Sequence, residues 1–373
     1  MRRSLLFIGL FLLLAGASFL HGSPSEVQMF FKDTDQEFSV LIIRGAKEGK
    51  TLLVVAGIHG DERTPMLAVE RYADVCLLSG TLILIPRLNT VAIRRHRRSG
   101  LGGDMNRLFG VSAAGKNPDA RVVEVVKGFI RQSDCVLNLH QGDGFYSPTW
   151  IDRKRNPLKW GQSNVIDTPV FDTPDGGRME LDAFARRVVE RTNRDIPLSK
   201  YYFHVNNTDT ESETSLHKEQ RKSLTYWAVT EHRALALGIE STRDVSVPAS
   251  AGFLASALNA VMGELEIVPA GSLPAVAPSV IREELKQQRY QKMTVKVQGR
   301  ERTLAPNGPL NVHRGDTVEV LSIEGIPQFG WYARVGSKIL SGVRNRRFKV
   351  TGDGALIVEK DGTVKGTHRI HVL

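Results

Sequence analysis

Short apolar runs alternate with amphipathic stretches along the first two-thirds of the chain. The runs are rich in β-branched residues and bounded by glycine or polar positions, which is typical of buried strands. They are Phe38–Ile43, Leu52–Ala56, Leu82–Pro86, Cys135–Leu139 and Leu235–Ile239. Between them, apolar residues recur at helical spacing over 66–76, 122–130 and 181–188. The alternation predicts an α/β fold, with a mostly parallel sheet covered by helices on both faces.

The pattern changes after residue 268. Proline, glycine and a charged stretch fill residues 269–292, which we interpret as a linker. Short alternating runs follow, separated by turn signals such as Asn307-Gly308 and Asp361-Gly362. The sequence therefore predicts a large α/β domain over 23–268 and a small all-β domain over 293–373.

The first 22 residues have the order of an export signal. Arg2 and Arg3 precede an apolar run, Leu5–Leu14, and small residues follow it. The run is short for a membrane span, although an uncleaved anchor is the alternative. We expect a periplasmic or otherwise exported protein with a cleavable signal peptide. In an oxidising compartment Cys76 and Cys135 could pair, or they could remain two unpaired thiols.

The chain is basic, with a formal charge of +10 that falls to +8 when Arg2 and Arg3 are removed. An exported protein rarely meets nucleic acid, so we expect no nucleic-acid partner. An anionic wall polymer or membrane surface fits this charge through long-range attraction. A solvated basic surface with no partner is the alternative.

Candidate metal ligands stand where two predicted strands end. His59 and Glu62 lie three residues apart between a strand and a helix, and His140 ends another strand. Two imidazoles and one carboxylate supply the three protein ligands of a catalytic zinc. His-x-x-Glu alone is a weak signal, and the second strand-end histidine strengthens it.

Further candidate residues follow the same strand ends. Asn106-Arg107 places a side-chain amide beside a guanidinium, a pair that can hold a carboxylate. One arginine of the basic run 94–98 could stabilise an oxyanion, or the run could be a solvated loop. Glu240 ends a buried strand, where a carboxylate is either paired or a general base.

Together these residues resemble the zinc carboxypeptidase family. The matching pieces, in the family's order, are His59-Gly-Asp-Glu62, Asn106-Arg107, His140 and Gly238-Ile239-Glu240. The resemblance covers roughly 41–260 and implies a mixed sheet. It implies one zinc ion per chain on His59, Glu62 and His140, with Glu240 as general base. It also implies that Asn106 and Arg107 hold the substrate's terminal carboxylate, and that Arg98, or Arg97 in its place, stabilises the oxyanion.

Three segments are similar to one branch of that family, the D,L-carboxypeptidases that trim peptidoglycan peptides in helical and curved bacteria. They are Asp104–Phe109, His140–Phe145 and Asn156–Gly161. The resemblance implies cleavage of the D-glutamate–meso-diaminopimelate bond in a muropeptide tripeptide. There are departures: this branch can carry Gln at the place of His59, and residues 293–373 are too few for two full accessory domains.

Two other functions are compatible with the sequence. The spacing of 78 residues between Glu62 and His140 is nearer to aspartoacylase-like and succinylglutamate desuccinylase-like deacylases of N-acyl amino acids. The export signal and the β domain oppose that interpretation. A wall-binding protein without catalysis is the other possibility, and the intact Glu240 opposes it. We expect peptidoglycan peptides as partners and no integral membrane partner; the oligomeric state is not predicted.

Overall fold

A computed structural model describes residues 26–110, 116–340 and 346–373 of the protein. The predicted export signal, residues 1–22, lies outside the described residues. Within them, apolar side chains form two separate cores. One core lies under the N-terminal α/β region and the other inside the C-terminal β region.

A nine-stranded sheet forms the centre of the N-terminal region. Along the sheet the strands lie in the order β1-β2-β4-β3-β5-β8-β6-β7, and β9 pairs with the edge of β4. The strands are β1 (Glu26–Phe30), β2 (Phe38–Arg44), β3 (Lys47–Val55), β4 (Leu77–Ile85), β5 (Cys135–Gly142), β6 (Ser163–Ile166), β7 (His204–Asn207), β8 (Leu235–Thr242) and β9 (Val268–Pro269).

The centre of this sheet is parallel and its edges are mixed. Strands β4, β3, β5 and β8 run parallel to one another, whereas β2 is antiparallel to β4 and β6 is antiparallel to β8. This confirms the predicted mixed, mostly parallel sheet. Parallel strands bring their carboxyl ends to one edge, and there Glu240 on β8 pairs in register with His140 on β5.

Helices cover the sheet, as predicted for the α/β class. The helices are α1 (Arg63–Glu70), α2 (Thr90–Arg94), α3 (Ala120–Ile130), α4 (Leu181–Arg194), α5 (Leu224–Thr230), α6 (Val247–Glu264) and α7 (Pro278–Gln287). Helix α6 packs against α1 and α4, while Trp227 of α5 lies beneath Lys127 and Arg131 of α3.

Two local predictions differ from the structure. Helix α1 ends at Glu70, although apolar spacing continues to Cys76, which is exposed and unpaired; Cys135 is buried and also unpaired. Residues 269–292, predicted to be a linker, contain helix α7. Pro278 begins this helix and its Ile281 is buried, so packing stabilises a segment that looks polar in sequence.

The C-terminal β region consists of two small sheets around the second core. One has the order β11-β10-β13-β16 and the other β12-β18-β17-β14-β15. The strands are β10 (Arg289–Val297), β11 (Arg300–Leu304), β12 (Leu310–Val312), β13 (Thr317–Ile326), β14 (Trp331–Val335), β15 (Lys338–Leu340), β16 (Arg347–Lys349), β17 (Gly354–Lys360) and β18 (Thr363–Val372). The predicted all-β character of this region is confirmed.

Candidate metal centre

His59, Glu62 and His140 meet in a buried cluster at the carboxyl edge of the sheet. Each side chain belongs to a residue that is at most 5% exposed. Glu62 Oε1 lies 2.8 Å from His59 Nδ1, and Glu62 Oε2 lies 2.9 Å from His140 Nδ1. The three candidate ligand atoms fall within 4.8 Å of one another. The structure therefore brings together the three residues that the sequence singled out.

The ends of two strands and the start of one helix place this cluster. His59 lies in the turn after β3, Glu62 is the N-cap residue of α1, and His140 is on β5. Gly60 allows the turn to rest directly on α2, because a Cβ atom at Gly60 would lie 2.0 Å from the carbonyl carbon of Ala92. The local fold thus depends on close backbone packing beside the histidine.

Burial and charge act in opposite directions on the two histidines. Burial lowers the pKa of His59, but the Glu62 carboxylate and a hydrogen bond with Asp104 outweigh it and raise the pKa to about 9. For His140 burial prevails over the same carboxylate, and its pKa is lowered. Burial alone would raise the pKa of Glu62, whereas the two imidazoles bring it well below its usual range. The cluster holds Glu62 as a carboxylate.

The donor set of this cluster fits a metal such as zinc. Imidazole nitrogens and a carboxylate oxygen are the ligands of catalytic zinc sites, which also keep one position open. His59 Nε2 lies 3.0 Å from Asp104 Oδ1, so Nδ1 is the ring nitrogen directed at Glu62. A carboxylate on the far nitrogen commonly fixes the orientation of a metal-binding histidine.

Arg98 reaches the edge of the cluster and Arg97 does not. The Arg98 side chain donates from Nε to Asp104 Oδ2 at 3.0 Å and from Nη1 to Glu62 Oε1 at 3.5 Å. It is about half exposed, with 48% of its surface open to solvent. Arg97 instead contributes its backbone carbonyl, which accepts a hydrogen bond from the Gly60 N–H at 2.9 Å.

Asn106 and Arg107 line the same cleft. Asn106 Oδ1 accepts hydrogen bonds from the Leu224 N–H at 3.0 Å and from Asn138 Nδ2 at 3.3 Å. With its oxygen held by two donors, Asn106 has its Nδ2 group left to donate to a ligand. The Arg107 Nη1 group donates to the Asn106 carbonyl at 3.1 Å, and Nη2 lies 3.9 Å from a carboxylate oxygen of Glu219.

Glu240 completes the set at the floor of the cleft. It is next to His140 in the sheet, and burial together with the nearby Glu62 carboxylate raises its pKa well above the ordinary value. The cleft has a volume of about 480 Å³ and contains all seven candidate residues. Its lining also includes residues for which the sequence suggested no role: Asp61, Asn138, Gln141, Asp143, Val165, Glu219, Gln220, Thr225 and Arg243.

Comparison with known proteins identifies the family. A family model described as the catalytic part of carboxypeptidases controlling helical cell shape matches residues 28–273, more than half of the chain. The chain belongs to this family. The match covers all but the first two residues of the sheet, and every candidate residue of the cleft.

Solved structures of one cell-shape carboxypeptidase share the fold of both regions. Csd4 from Helicobacter pylori in its tripeptide-bound form is 17% identical, with a TM-score of 0.59, and the match covers 94% of this chain and 100% of that one. The mDAP-bound form of Csd4, a D,L-carboxypeptidase, is 18% identical with a TM-score of 0.58, covering 87% and 97%. At this identity the likeness shows the fold alone.

Curated relatives match over shorter stretches. N-alpha-acetyl-L-2,4-diaminobutyric acid deacetylase of Halomonas elongata is 32% identical over 105 residues, which are 26% of this chain and 29% of that protein. Succinylglutamate desuccinylase of Erwinia tasmaniensis is 44% identical over 66 residues, 16% and 20% respectively. The chain thus spans less than a third of either curated relative.

In this member of the family, the sequence analysis gave no role to Asp104. Its carboxylate bridges His59 and Arg98, and it stands two residues before Asn106 in a motif that was already singled out. The sequence therefore contained a signal for Asp104, because a carboxylate stands next to a residue pair that can bind carboxylates. Glu219 offered no such signal, because it reaches Arg107 from a short helical turn, Lys218–Lys222, with no recognisable motif.

Proposed function

We propose that this member of the cell-shape carboxypeptidase family is a zinc enzyme that removes the C-terminal residue of peptidoglycan peptides. The proposed bond joins D-glutamate to meso-diaminopimelate in a muropeptide tripeptide. One observation carries the proposal: a buried His-Glu-His cluster shares a cleft with a carboxylate and with an Asn-Arg pair. The related Csd4 has been solved with mDAP and with a tripeptide bound, which favours this substrate class.

His59, Glu62 and His140 would hold the zinc ion, one per chain. When bound, zinc polarises the scissile carbonyl and makes water more acidic. The protein's own part begins with Glu62, which stays ionised between two imidazoles and therefore offers a charged ligand. Asp104 keeps the His59 ring oriented, and it holds Arg98 at the rim of the same cleft.

Glu240 is the proposed general base. A carboxyl group with a raised pKa takes up a proton readily, so Glu240 can accept one from the attacking water and return it to the leaving amine. Arg98 lines the same cleft as Glu240, and about half of the Arg98 side chain is exposed to solvent. The Arg98 guanidinium can stabilise the negative oxygen that develops on the scissile carbonyl.

Asn106 and Arg107 would select substrates with a free terminal carboxylate. A guanidinium and a side-chain amide can bind the two oxygens of one carboxylate, a charge-assisted contact with a fixed geometry. Glu219, 3.9 Å from Arg107 Nη2, balances the cation when no substrate is present. Binding at this pair fixes the peptide's position, so the enzyme would act as an exopeptidase.

Mass spectrometry of defined muropeptides incubated with the zinc-loaded protein tests this function. We expect the tripeptide to lose its terminal residue. Amidation of the terminal carboxylate should slow wild type strongly but add little further loss in Arg107→Ala, because the partner of that carboxylate is already missing. Cleavage by Arg107→Lys should also be impaired, since lysine keeps the positive charge but lacks the planar guanidinium that binds both carboxylate oxygens.

Other outcomes would favour the alternative functions. Additive losses from amidation and from Arg107→Ala would show that Arg107 does not contact the carboxylate. Hydrolysis of an N-acyl amino acid, without cleavage of the tripeptide, would identify a deacylase like the two curated relatives. Tripeptide binding without any turnover by the zinc-loaded protein would indicate a wall-binding protein.

The proposed location is outside the cytoplasm, and the domain boundaries remain those predicted from sequence, at 22, 268 and 292. The leader-like order of the first 22 residues supports export. Among residues 26–110, 116–340 and 346–373, the structure contains no helix long and apolar enough to cross a membrane. Fractionation of cells that express the full chain would test the location.

A further inference from the structure

The two-residue turn between β17 and β18 reaches into the α/β region. Asp361 and Gly362 form this turn, and both have positive φ, 45° and 78°, as a type I′ hairpin requires. Each of the two residues contacts a different part of the α/β region, behind the metal centre.

Asp361 binds Arg87 through a two-pronged ion pair. Arg87 Nε lies 2.8 Å from Asp361 Oδ1 and Arg87 Nη2 lies 2.6 Å from Asp361 Oδ2. Both side chains are buried. Arg87 Nη2 also lies 3.0 Å from a carboxylate oxygen of Glu70. Lys360 Nζ lies 3.1 Å from each of the two Glu70 carboxylate oxygens. Glu70 is the last residue of α1, the helix whose N-cap residue is Glu62.

Gly362 supports the ring of His96. A Cβ atom on Gly362 would lie 1.7 Å from His96 Cε1 and 2.3 Å from Nε2, so the ring rests against the bare backbone of the turn. Tyr332 Oη, on β14, lies 3.5 Å from the same Nε2 atom. His96 has a φ of 50°, which orients the residues that follow it.

Both contacts lead directly to the loops of the metal centre. After Arg87, the backbone N–H groups of Leu88 and Asn89 donate to the carbonyls of Ala56 and Gly57, at 3.0 and 2.9 Å, and so hold the segment before His59. After His96, the carbonyl of Arg97 accepts the Gly60 N–H, and Arg98 reaches Glu62 and Asp104.

We infer that the Asp361-Gly362 turn of the C-terminal β region positions the two active-site loops that carry His59 and Arg98. His96 and Arg87 are the positioning residues through which the turn acts. Because loop placement within about 1 Å controls turnover, a shift of this turn should reduce catalysis without touching a reacting group. The catalytic part of this inference rests on the proposed function.

Gly362→Ala in the full-length protein tests the inference, since the methyl group displaces His96. We expect kcat on the tripeptide to fall by about 10–100-fold. KM should change by less than about threefold, because Leu224 and Asn138 hold Asn106, and the Asn106 carbonyl and Glu219 contact Arg107; none of these belongs to the turn. Hydrogen exchange at the Gly60 and Arg97 amides should become faster in the metal-free protein, a readout that needs no substrate.

Gly299→Ala is the matched control. Gln298 and Gly299 form the same kind of two-residue turn, with φ values of 47° and 83°, between β10 and β11. A Cβ atom at Gly299 would meet nothing within 4 Å. Gly299→Ala therefore introduces the same backbone strain as Gly362→Ala but no steric clash like the one with His96. We expect wild-type kcat and wild-type exchange rates.

His96→Ala gives a second measurement that leaves the turn intact. We expect it to lower kcat on its own, and Gly362→Ala should add little further loss in the His96→Ala background. Independent, additive effects would overturn the inference, as would equal effects of Gly362→Ala and Gly299→Ala. If wild type fails to cleave the tripeptide, the proposed function is wrong, and the exchange rates at Gly60 and Arg97 still decide whether the turn positions the loops.

Discussion

Glu240 is a half-buried carboxyl group near a fully buried carboxylate, Glu62. Two such groups cannot both be ionised at low cost, and the structure resolves the conflict by pairing Glu62 with both histidines. Glu240 is therefore the carboxyl group with the raised pKa. This division fits the roles proposed above, with Glu62 as a metal ligand and Glu240 as the general base.

Glu240→Gln should retain zinc and lose turnover by about 10²–10⁴-fold, because an amide cannot accept the proton. Metal content and tripeptide hydrolysis should be measured on the same zinc-loaded sample. Glu231→Gln, at an exposed glutamate on the end of α5, is the control and should behave as wild type. Wild-type hydrolysis by the Glu240 variant would assign the base to another group.

Asp167 is a second buried carboxyl group, outside the metal cluster. Burial raises its pKa to about 6, although hydrogen bonds from Thr225 and Thr210 and the charge of Arg107 partly oppose this. The pKa of Asp167 is higher in the folded state than in the unfolded state. Between pH 4 and 6 the folded protein therefore keeps this carboxyl group protonated, whereas the unfolded chain has released the proton. The stabilising contribution of this group is thus complete below pH 4 and is lost as the pH rises through 6.

Asp167→Asn should remove that pH dependence. The difference in unfolding free energy between wild type and variant should change by about 2.5 kcal/mol between pH 4 and pH 7, in the direction that favours wild type at low pH. Denaturant unfolding at several pH values measures it. Asp209→Asn, at an exposed aspartate, should keep the wild-type profile. Parallel profiles for wild type and Asp167→Asn would contradict the assignment.

At the scale of elements, the turn between β3 and α1 owes its shape to Gly60. Gly60→Ala would place a methyl group 2.0 Å from the backbone of α2, so either the His59 turn or α2 must move. We expect weaker zinc binding, and an unfolding free energy lower by about 1–3 kcal/mol. Chelator competition and denaturant unfolding measure the two effects.

Gly128→Ala is the control for that substitution. Gly128 lies in α3, and a Cβ atom there meets nothing within 4 Å. Alanine in a helix interior is favoured over glycine by about 0.5–1 kcal/mol, so this variant should be slightly more stable and bind zinc normally. Equal zinc affinity in both glycine variants would show that the close contact at Gly60 does not shape the site.

Strands and their ends were predictable from sequence, and so was the convergence of the candidate ligands placed on them. The runs before His59, His140 and Glu240 are continuous apolar stretches, and parallel strands bring such ends together. Helix limits were less predictable, because they depend on tertiary contacts. The apolar spacing after Glu70 continues although the helix stops there, and α7 forms in a polar segment because Ile281 is buried.

Contacts between distant segments were not predictable from any local pattern. Asp104 was visible within its motif, but Glu219 is brought to Arg107 only by the folded chain. Likewise, Asp361-Gly362 looks in sequence like an ordinary hairpin turn. Its partner Arg87 lies 274 residues earlier, so only the three-dimensional structure shows that the turn contacts the α/β region.

At the scale of the whole molecule, the two cores are joined by a buried group of charges. Burial alone would raise the pKa of Asp361, whereas Arg87 and Lys360 lower it to about 2. Asp361 therefore stabilises the folded protein above pH 4, and this contribution is lost as the pH falls through 2. The pairing matters because a buried charge without a partner strongly destabilises the folded state.

Arg87→Ala should lower the unfolding free energy by about 3–5 kcal/mol, since Asp361 and Glu70 would keep only Lys360 as a cation. Denaturant unfolding at neutral pH measures this loss. Arg186→Ala removes an exposed arginine that pairs with Asp182 on the same helix, and its effect should lie within experimental error. Similar stabilities for the two variants would show that the joined charges do not hold the regions together.

The wide sequence separation of Arg87 and Asp361 also imposes an order on the enzyme's biosynthesis. Ribosomes add about 5–20 residues per second, so the turn is made roughly 15–55 s after Arg87. From the addition of Glu240 until that of residue 361, the nascent chain contains every candidate catalytic residue but lacks the turn that positions their loops. A hydrolase of wall peptides would thus become active only late in its own synthesis, when residue 361 has been added and the β region has folded.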